Sequence, residues 1–228
     1  MYMRKRDVLQ SAIEVDRKRP KADLSIEQYL MTPESMVEQV FRLQNMMRGK
    51  KVLQLGDDDH LSILFAQYLE AQPIVAEYDS RIIDSLTGIY KADPNLDARI
   101  IEYDARTLLP VDILADLFYI NPPYSSKNHG KGAMVWISRV ANAVPVGSTS
   151  VLVYPIDEGL FWTLECFDKI LKYAHECGLV VVGIDRDVHT YNYLPKDPGL
   201  LSSNIYLYKY ANRAPKEIRD IDGNALYR

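Results

Sequence analysis

The sequence predicts an α/β fold, a mainly parallel twisted sheet with helices on both faces, and three observations predict it. Between residues 51 and 178, short apolar runs of strand length alternate with longer segments whose apolar residues recur at helical spacing. Four of those strand-like runs end in marked residues, Gly56, Glu77, Asp104 and Asn121, at the carboxyl ends where such a sheet receives its ligands. At 228 residues the chain is long enough to bury one full core, with short appendages.

Taken in order, Val8, Leu9, Ala12, Ile13 and Val15 give a weak helical pattern over residues 7–18, which Pro20 interrupts. Residues 1–24 read as a basic amino-terminal arm, with Arg4, Lys5, Arg6, Arg17, Lys18, Arg19 and Lys21 outnumbering the acids around them. Thr32 is a candidate N-cap and Pro33 suits the first helical position ahead of the amphipathic run Met36-Val37-Val40-Phe41-Leu43. Lys51 to Leu55 is a short buried strand, Gly56-Asp57-Asp58-Asp59 its turn, and residues 61–71 the helix that follows.

Residues 73–78 form a second strand. Glu77 is placed there to accept hydrogen bonds from ribose hydroxyls, with Asp79 as the neighbour that competes for that role. A helix over 81–90 closes at Asp93-Pro94-Asn95, and the strand 98–103 delivers Asp104 and Ala105. A fourth strand after Leu114 runs into Asn121-Pro122-Pro123-Tyr124. Beyond a polar loop with Lys127, His129 and Lys131 come a helix (133–144), a strand (149–155), a longer helix (161–177) and two final strand-like runs (179–184 and 204–210). One catalytic domain over 25–212 and a peripheral tail over 213–228 complete the expected organisation.

A net charge of −4 argues against a uniformly basic nucleic-acid binder. The opening lacks the apolar run of a secretory signal and no stretch reaches membrane-span length, so a cytoplasmic protein with no membrane association is expected. Cys166 and Cys177 fall in one helix about three turns apart, too far to bridge, and read as buried thiols; no metal site is expected.

Chemistry is expected at residues 121–124. Two prolines fix φ and remove two donors, so the bend presents the Asn121 amide, the Pro122 carbonyl and the Tyr124 ring in a preset arrangement. The carbonyl oxygens can accept from an NH2 group while Tyr124 stacks on a flat ring. Asn121-Pro122-Pro123-Tyr124 resembles the catalytic motif of class I S-adenosylmethionine-dependent methyltransferases that modify an amino nitrogen conjugated to a ring or carbonyl, adenine N6 in DNA or RNA among them. The resemblance implies a Rossmann-like sheet with an antiparallel ending and S-adenosylmethionine as cofactor. It implies Asn121, Pro122 and Tyr124 as catalytic residues, and Tyr29, Thr32, Gly56, Asp57, Glu77, Asp104, Ala105 and Asn121 around the cofactor. Tyr29 and Thr32 would flank the methionine portion and Asp104 the adenine amino group. Pro123, Tyr124, Lys127 and His129 would meet the substrate, with nucleic acid as its main candidate and a dimer or a partner supplying sequence specificity.

The Gly-Asp-Asp-Asp turn followed by a Pro-Pro-Tyr bend also resembles the catalytic domain of branched-chain polyamine synthases, which use decarboxylated S-adenosylmethionine and cationic polyamines. Fixed negative charge suits such cations better than it suits a methionine carboxylate. Those enzymes carry an acidic residue where this chain has Asn121, which favours an uncharged planar acceptor. Aminopropyl transfer is therefore the alternative expectation, and a non-catalytic cofactor-binding module a third.

Overall fold

The computed structural model describes residues 3–26, 28–123, 126–192, 199–214, 218 and 226. Its elements run α1 (Lys5–Lys18), a 3-10 turn (Leu24–Ile26), α2 (Pro33–Met47), β1 (Lys51–Leu55), α3 (Leu61–Leu69), β2 (Gln72–Glu77), α4 (Ser80–Ala92), β3 (Arg99–Glu102), β4 (Leu117–Ile120), α5 (Lys131–Val140), β5 (Thr149–Tyr154), α6 (Phe161–Glu176), β6 (Leu179–His189) and β7 (Ser202–Lys209). The seven strands lie in the order β3-β2-β1-β4-β5-β7-β6. β1 to β5 are parallel, while β7 runs antiparallel between β5 and β6. The expected mainly parallel sheet with an antiparallel ending is therefore the observed one.

Both faces of the central strands are buried, and alternate residues serve opposite cores. Leu53, Phe118, Ile120, Leu152 and Tyr154 pack under α5 and α6, whereas Val52, Leu117, Tyr119, Val151 and Val153 pack under α1 to α4. A period of two divides each strand's side chains between the faces, and burial on both faces is why the strands read as continuous apolar runs. β6 extends to His189, beyond the 184 expected, across two irregularities in its pairing with β7.

Two expectations about the ends change. The amino-terminal residues do not form a solvated arm: Val8, Ala12 and Val15 are fully or nearly fully buried on α2 and α3, and Arg19 is 6% exposed. The helical pattern expected over 7–18 is the observed α1, and its stripe of Val8, Ala12 and Val15 docks it on the body of the fold. Most of the tail lies outside the described residues, but Leu226 is buried in the core with α5 and α6.

Arg19 is held at both ends of its guanidinium. Nη1 donates to Asp59 at 3.0 Å, and Nη2 donates to the Met31 carbonyl at 2.6 Å and pairs with Asp16. Removing one partner of such a buried pair strands the other charge. Arg19→Met is expected to cost about 3–5 kcal/mol in urea unfolding, far more than loss of the exposed Lys172–Asp168 pair, about 1 kcal/mol at most.

Candidate active site

Strand register gathers the marked residues. Leu55 lies opposite Ala76 on one side and Ile120 on the other, so Gly56, Glu77 and Asn121, each one residue further on, emerge side by side at the sheet's carboxyl edge. Glu77 lies opposite Glu102, which adds Tyr103 and Ala105 to the same edge. These residues line a cleft of about 760 Å³, open space included, together with Ile26, Gln28, Tyr29, Leu55, Asp58, Ala76, Tyr78, Pro122, Pro123, Trp136 and Tyr191. An antiparallel bridge between Met31 and Tyr191 brings the two rim segments together.

Gly56 makes the close approach on which the cleft depends. Its φ of +72° lies in the left-handed region, and a Cβ there would stand 2.7 Å from Trp136 Cη2. Gly56→Ala is expected to lower stability by about 1–3 kcal/mol, measured by denaturant titration, and to narrow or reshape the cleft by displacing the Trp136 ring.

The three aspartates of the turn have different tasks. Asp57 is directed at α3, accepting from Ser62 N at 3.2 Å and Gln54 Nε2 at 3.2 Å; its carboxylate caps the helix, and Asp57 is not among the cleft-lining residues. Asp59 is turned towards the amino-terminal segment, accepting from Arg19 Nη1 and from Met31 N at 2.6 Å. Asp58 lines the cleft and accepts no hydrogen bond among the described residues. Burial pushes its carboxyl well above the usual carboxylate range, and the neighbouring charges of Asp59, Glu77 and Asp57 push it further.

Glu77 accepts from Asp57 N at 2.9 Å, Tyr78 N at 2.7 Å and Asp79 N at 2.9 Å, which fixes the carboxylate at the cleft wall. Burial raises its carboxyl despite those three donors. Asp79 instead caps α4 and pairs with Arg81, so the two acids that compete in the sequence are separated by their partners. His60, left-handed at φ +56°, lies between Asp57 O and Ser85 Oγ at 3.1 and 2.8 Å, and burial lowers its imidazole to about 4. It is neutral at physiological pH and braces the acidic turn from behind.

Other expected site residues are distributed unevenly. Tyr29, Ala105, Pro122 and Pro123 line the cleft. Thr32 does not: its hydroxyl caps α2 by accepting from Ser35 N and lies 2.9 Å from Thr190 Oγ1. Asp104 does not line it either, because Arg106 Nε holds both its oxygens at 2.9 and 2.8 Å while the same guanidinium lies 5.8 Å from the Tyr78 ring centroid. Lys127 and His129 are exposed and outside the lining; Tyr124 falls outside the described residues. Sequence reading did not place Tyr78, Tyr103, Trp136, Tyr191 or Arg19 at the site. Asp58 did carry a signal: a run of three acids contains more carboxylates than one helix cap and one ion pair require.

Among the described residues no cluster of His, Cys, Asp or Glu is arranged to hold a metal ion, and no helix is long and apolar enough to cross a membrane. Cys166 and Cys177 are buried and free.

A glycine turn after β1, an acid at the end of β2 and an Asn-Pro-Pro bend after β4, on a 3-2-1-4-5-7-6 sheet, define a class I methyltransferase-like fold. Residues 7–198 match the family model of the branched-chain polyamine synthase A C-terminal domain, and the chain belongs to that family. No curated protein sequence matches it significantly. Among solved structures, the branched-chain polyamine synthase from Thermus thermophilus, in complex with N4-aminopropylspermidine and 5'-methylthioadenosine, superposes with a TM-score of 0.77 at 20% identity, covering 97% of this chain and 70% of its own. A C9 mutein of that enzyme with the same two molecules gives 0.76 at 21%, covering 95% and 69%. A putative RNA methyltransferase from Pyrococcus horikoshii gives 0.66 at 18%, covering 91% and 99%. At such identities the likeness establishes the fold.

Proposed function

We propose that this chain transfers the aminopropyl group of decarboxylated S-adenosylmethionine to an amine nitrogen of a polyamine. The observation that carries the reading is Asp58, a cleft-lining carboxylate that accepts no hydrogen bond among the described residues, backed by Asp57, Glu77 and Asp59, of which Asp59 is paired with Arg19. Membership of the polyamine synthase family supports it.

The cleft fits such a donor. Leu55, Ala76, Tyr103, Ala105 and Trp136 provide an apolar wall for a nucleoside, Gly56 leaves room beside it, and Glu77 offers a carboxylate to ribose hydroxyls. A donor that retained its α-carboxylate would place that charge against the acidic turn, whereas an aminopropyl ammonium and a polyamine bring compensating charge. Tyr29, Tyr78 and Tyr191 add aromatic surface on which alkylammonium groups rest favourably.

When bound, the donor supplies a propyl carbon activated by its sulfonium. The attacking nitrogen must first lose a proton, because a polyamine nitrogen is protonated near neutral pH. Asp58, poised above the ordinary range, accepts that proton. The nitrogen–carbon bond then forms as the carbon–sulfur bond breaks, the electron pair returns to sulfur and the thioether leaves. Asn121 and the bend at Pro122 align the acceptor.

One observation favours the other reading, methylation of a planar NH2 such as adenine N6: residue 121 is a neutral amide whose acceptor oxygen has no partner among the described residues. Mass spectrometry of products formed from S-adenosylmethionine with an adenine-containing oligonucleotide, and from decarboxylated donor with spermidine, separates them. A gain of one aminopropyl group on the amine is expected; methylated adenine with no aminopropylated amine would overturn the proposal.

A further inference from the structure

Trp136 brings an unused donor to the cleft wall. It belongs to the buried face of α5, lines the cleft with 8% of its surface exposed, and sets the Cη2 corner of its ring 2.7 Å from where a Gly56 Cβ would stand. Its indole Nε1 is buried and has no hydrogen-bond partner among the described residues. An indole N–H can only donate, and when buried it ordinarily finds an acceptor. A buried donor without one is costly unless a ligand supplies it.

Neighbouring polar side chains at this end of the sheet are already committed. The Tyr103 hydroxyl donates to the Thr107 carbonyl at 2.7 Å, and the Asp104 carboxylate is held by Arg106. Asp104 is the residue that the sequence assigns to the adenine amino group, so its pairing leaves the base without that contact. The side chains of Leu55, Ala76, Ala105 and Trp136 make a wall whose one polar side-chain atom is the indole nitrogen. A purine suits such a wall, because its faces are flat and its edge carries ring nitrogens that accept in the plane.

We propose that Trp136 reads the base of the donor, its Nε1–H donating to an unprotonated ring nitrogen of the adenine. This rests on the adenosyl donor of the reading above and deepens it by a contact that selects the base. Adenine N1, N3 and N7 each hold an in-plane lone pair and no hydrogen. A base with C–H at the contacted place leaves the indole hydrogen buried and unsatisfied, and is discriminated against for that reason. Glu77 then serves the ribose, Asp58 the transferred group and its acceptor, and Trp136 the base.

The test uses the full chain as wild type, Trp136→Phe and Trp162→Phe. The probes are 5'-methylthioadenosine, the adenosyl thioether that aminopropyl transfer releases, and its 1-deaza, 3-deaza and 7-deaza forms, each with one ring nitrogen replaced by C–H. None has a sulfonium, so binding is read without turnover. The chain has two tryptophans, and Trp162→Phe identifies the Trp136 indole signal in a proton–nitrogen correlation spectrum. The parent thioether is expected to move that signal downfield, and one deaza form to bind without the downfield shift. By calorimetry that same form is expected to bind wild type about tenfold more weakly than the parent, and to bind Trp136→Phe about as well as the parent does.

An indole signal that responds alike to all four probes, or a deaza loss that persists in Trp136→Phe, would overturn the proposal. The wild-type spectra decide it even if the Trp136→Phe protein does not fold. A wild type that binds none of the four probes would remove the adenosyl donor, and with it both this contact and the function proposed above. Transfer of methyl groups instead of aminopropyl groups would remove that function alone, since both donors carry the same adenine and the spectra still decide the role of Trp136.

Discussion

Asp58→Asn is expected to slow aminopropyl transfer by about 10²–10⁴-fold, the range that a positioned proton acceptor contributes, with the donor still bound. The size follows from the division of labour within the turn. Asp57 is occupied with the first turn of α3 and Asp59 with Arg19 and Met31, so neither can turn to the cleft without leaving a buried donor unpaired. Asp58 has no such obligation, and burial, then its neighbours' charges, raises its proton affinity. Removing one carboxylate that has no structural partner relieves repulsion, so thermal stability is expected to be unchanged or higher. Single-turnover kinetics with chemical quench checks the rate and a melting curve the stability. An Asp58→Asn protein that is unimpaired in transfer would remove Asp58 from the chemistry.

Discrimination between donors is expected to be the second large effect. Decarboxylated S-adenosylmethionine should bind more tightly than S-adenosylmethionine by roughly ten- to a thousandfold, since a carboxylate placed about 4 Å from a fixed like charge costs about 1 kcal/mol in water-like surroundings and about 4 kcal/mol at an effective dielectric near 20. The acids that set this preference, Asp58 and Glu77, are at the cleft, and the nearest paired cation, Arg19, is already engaged by Asp59, Asp16 and a main-chain carbonyl. Arg81 and Arg106 are likewise held by Asp79 and Asp104. Isothermal titration with each donor measures the ratio. Because the effect is electrostatic, it should shrink in Asp58→Asn, and equal affinities in wild type would argue against an anionic pocket as the basis of donor choice.

The two resemblances visible in the sequence point to different acceptors because they rest on different strand ends. The bend at 121–124 carries a neutral amide, as in enzymes that methylate planar amines, while the turn at 56–59 carries the charge expected of a polyamine enzyme. In three dimensions the two strand ends emerge side by side, and Asp58 and Asn121 line the same cleft. A carboxylate for a cationic acceptor is thereby supplied from the turn at 56–59, beside the neutral amide of Asn121.

What the sequence by itself determined was the alternation of strands and helices, the parallel sheet and the four strand ends that carry Gly56, Glu77, Asp104 and Asn121. Those are local properties: apolar periodicity and turn residues act over a few positions, and register then aligns equivalent strand ends without further information. The tertiary structure alone decided which marked residues face the cleft. Asp104 is paired with Arg106 and Thr32 is used by a helix, both through hydrogen bonds that compete with any ligand. It also decided that Arg19 belongs to the site's support and that Tyr191 closes its rim, pairings across dozens of residues that leave no periodic trace. Asp57, Asp58 and Asp59 are chemically identical in the sequence; burial against different donors is what gives each its task.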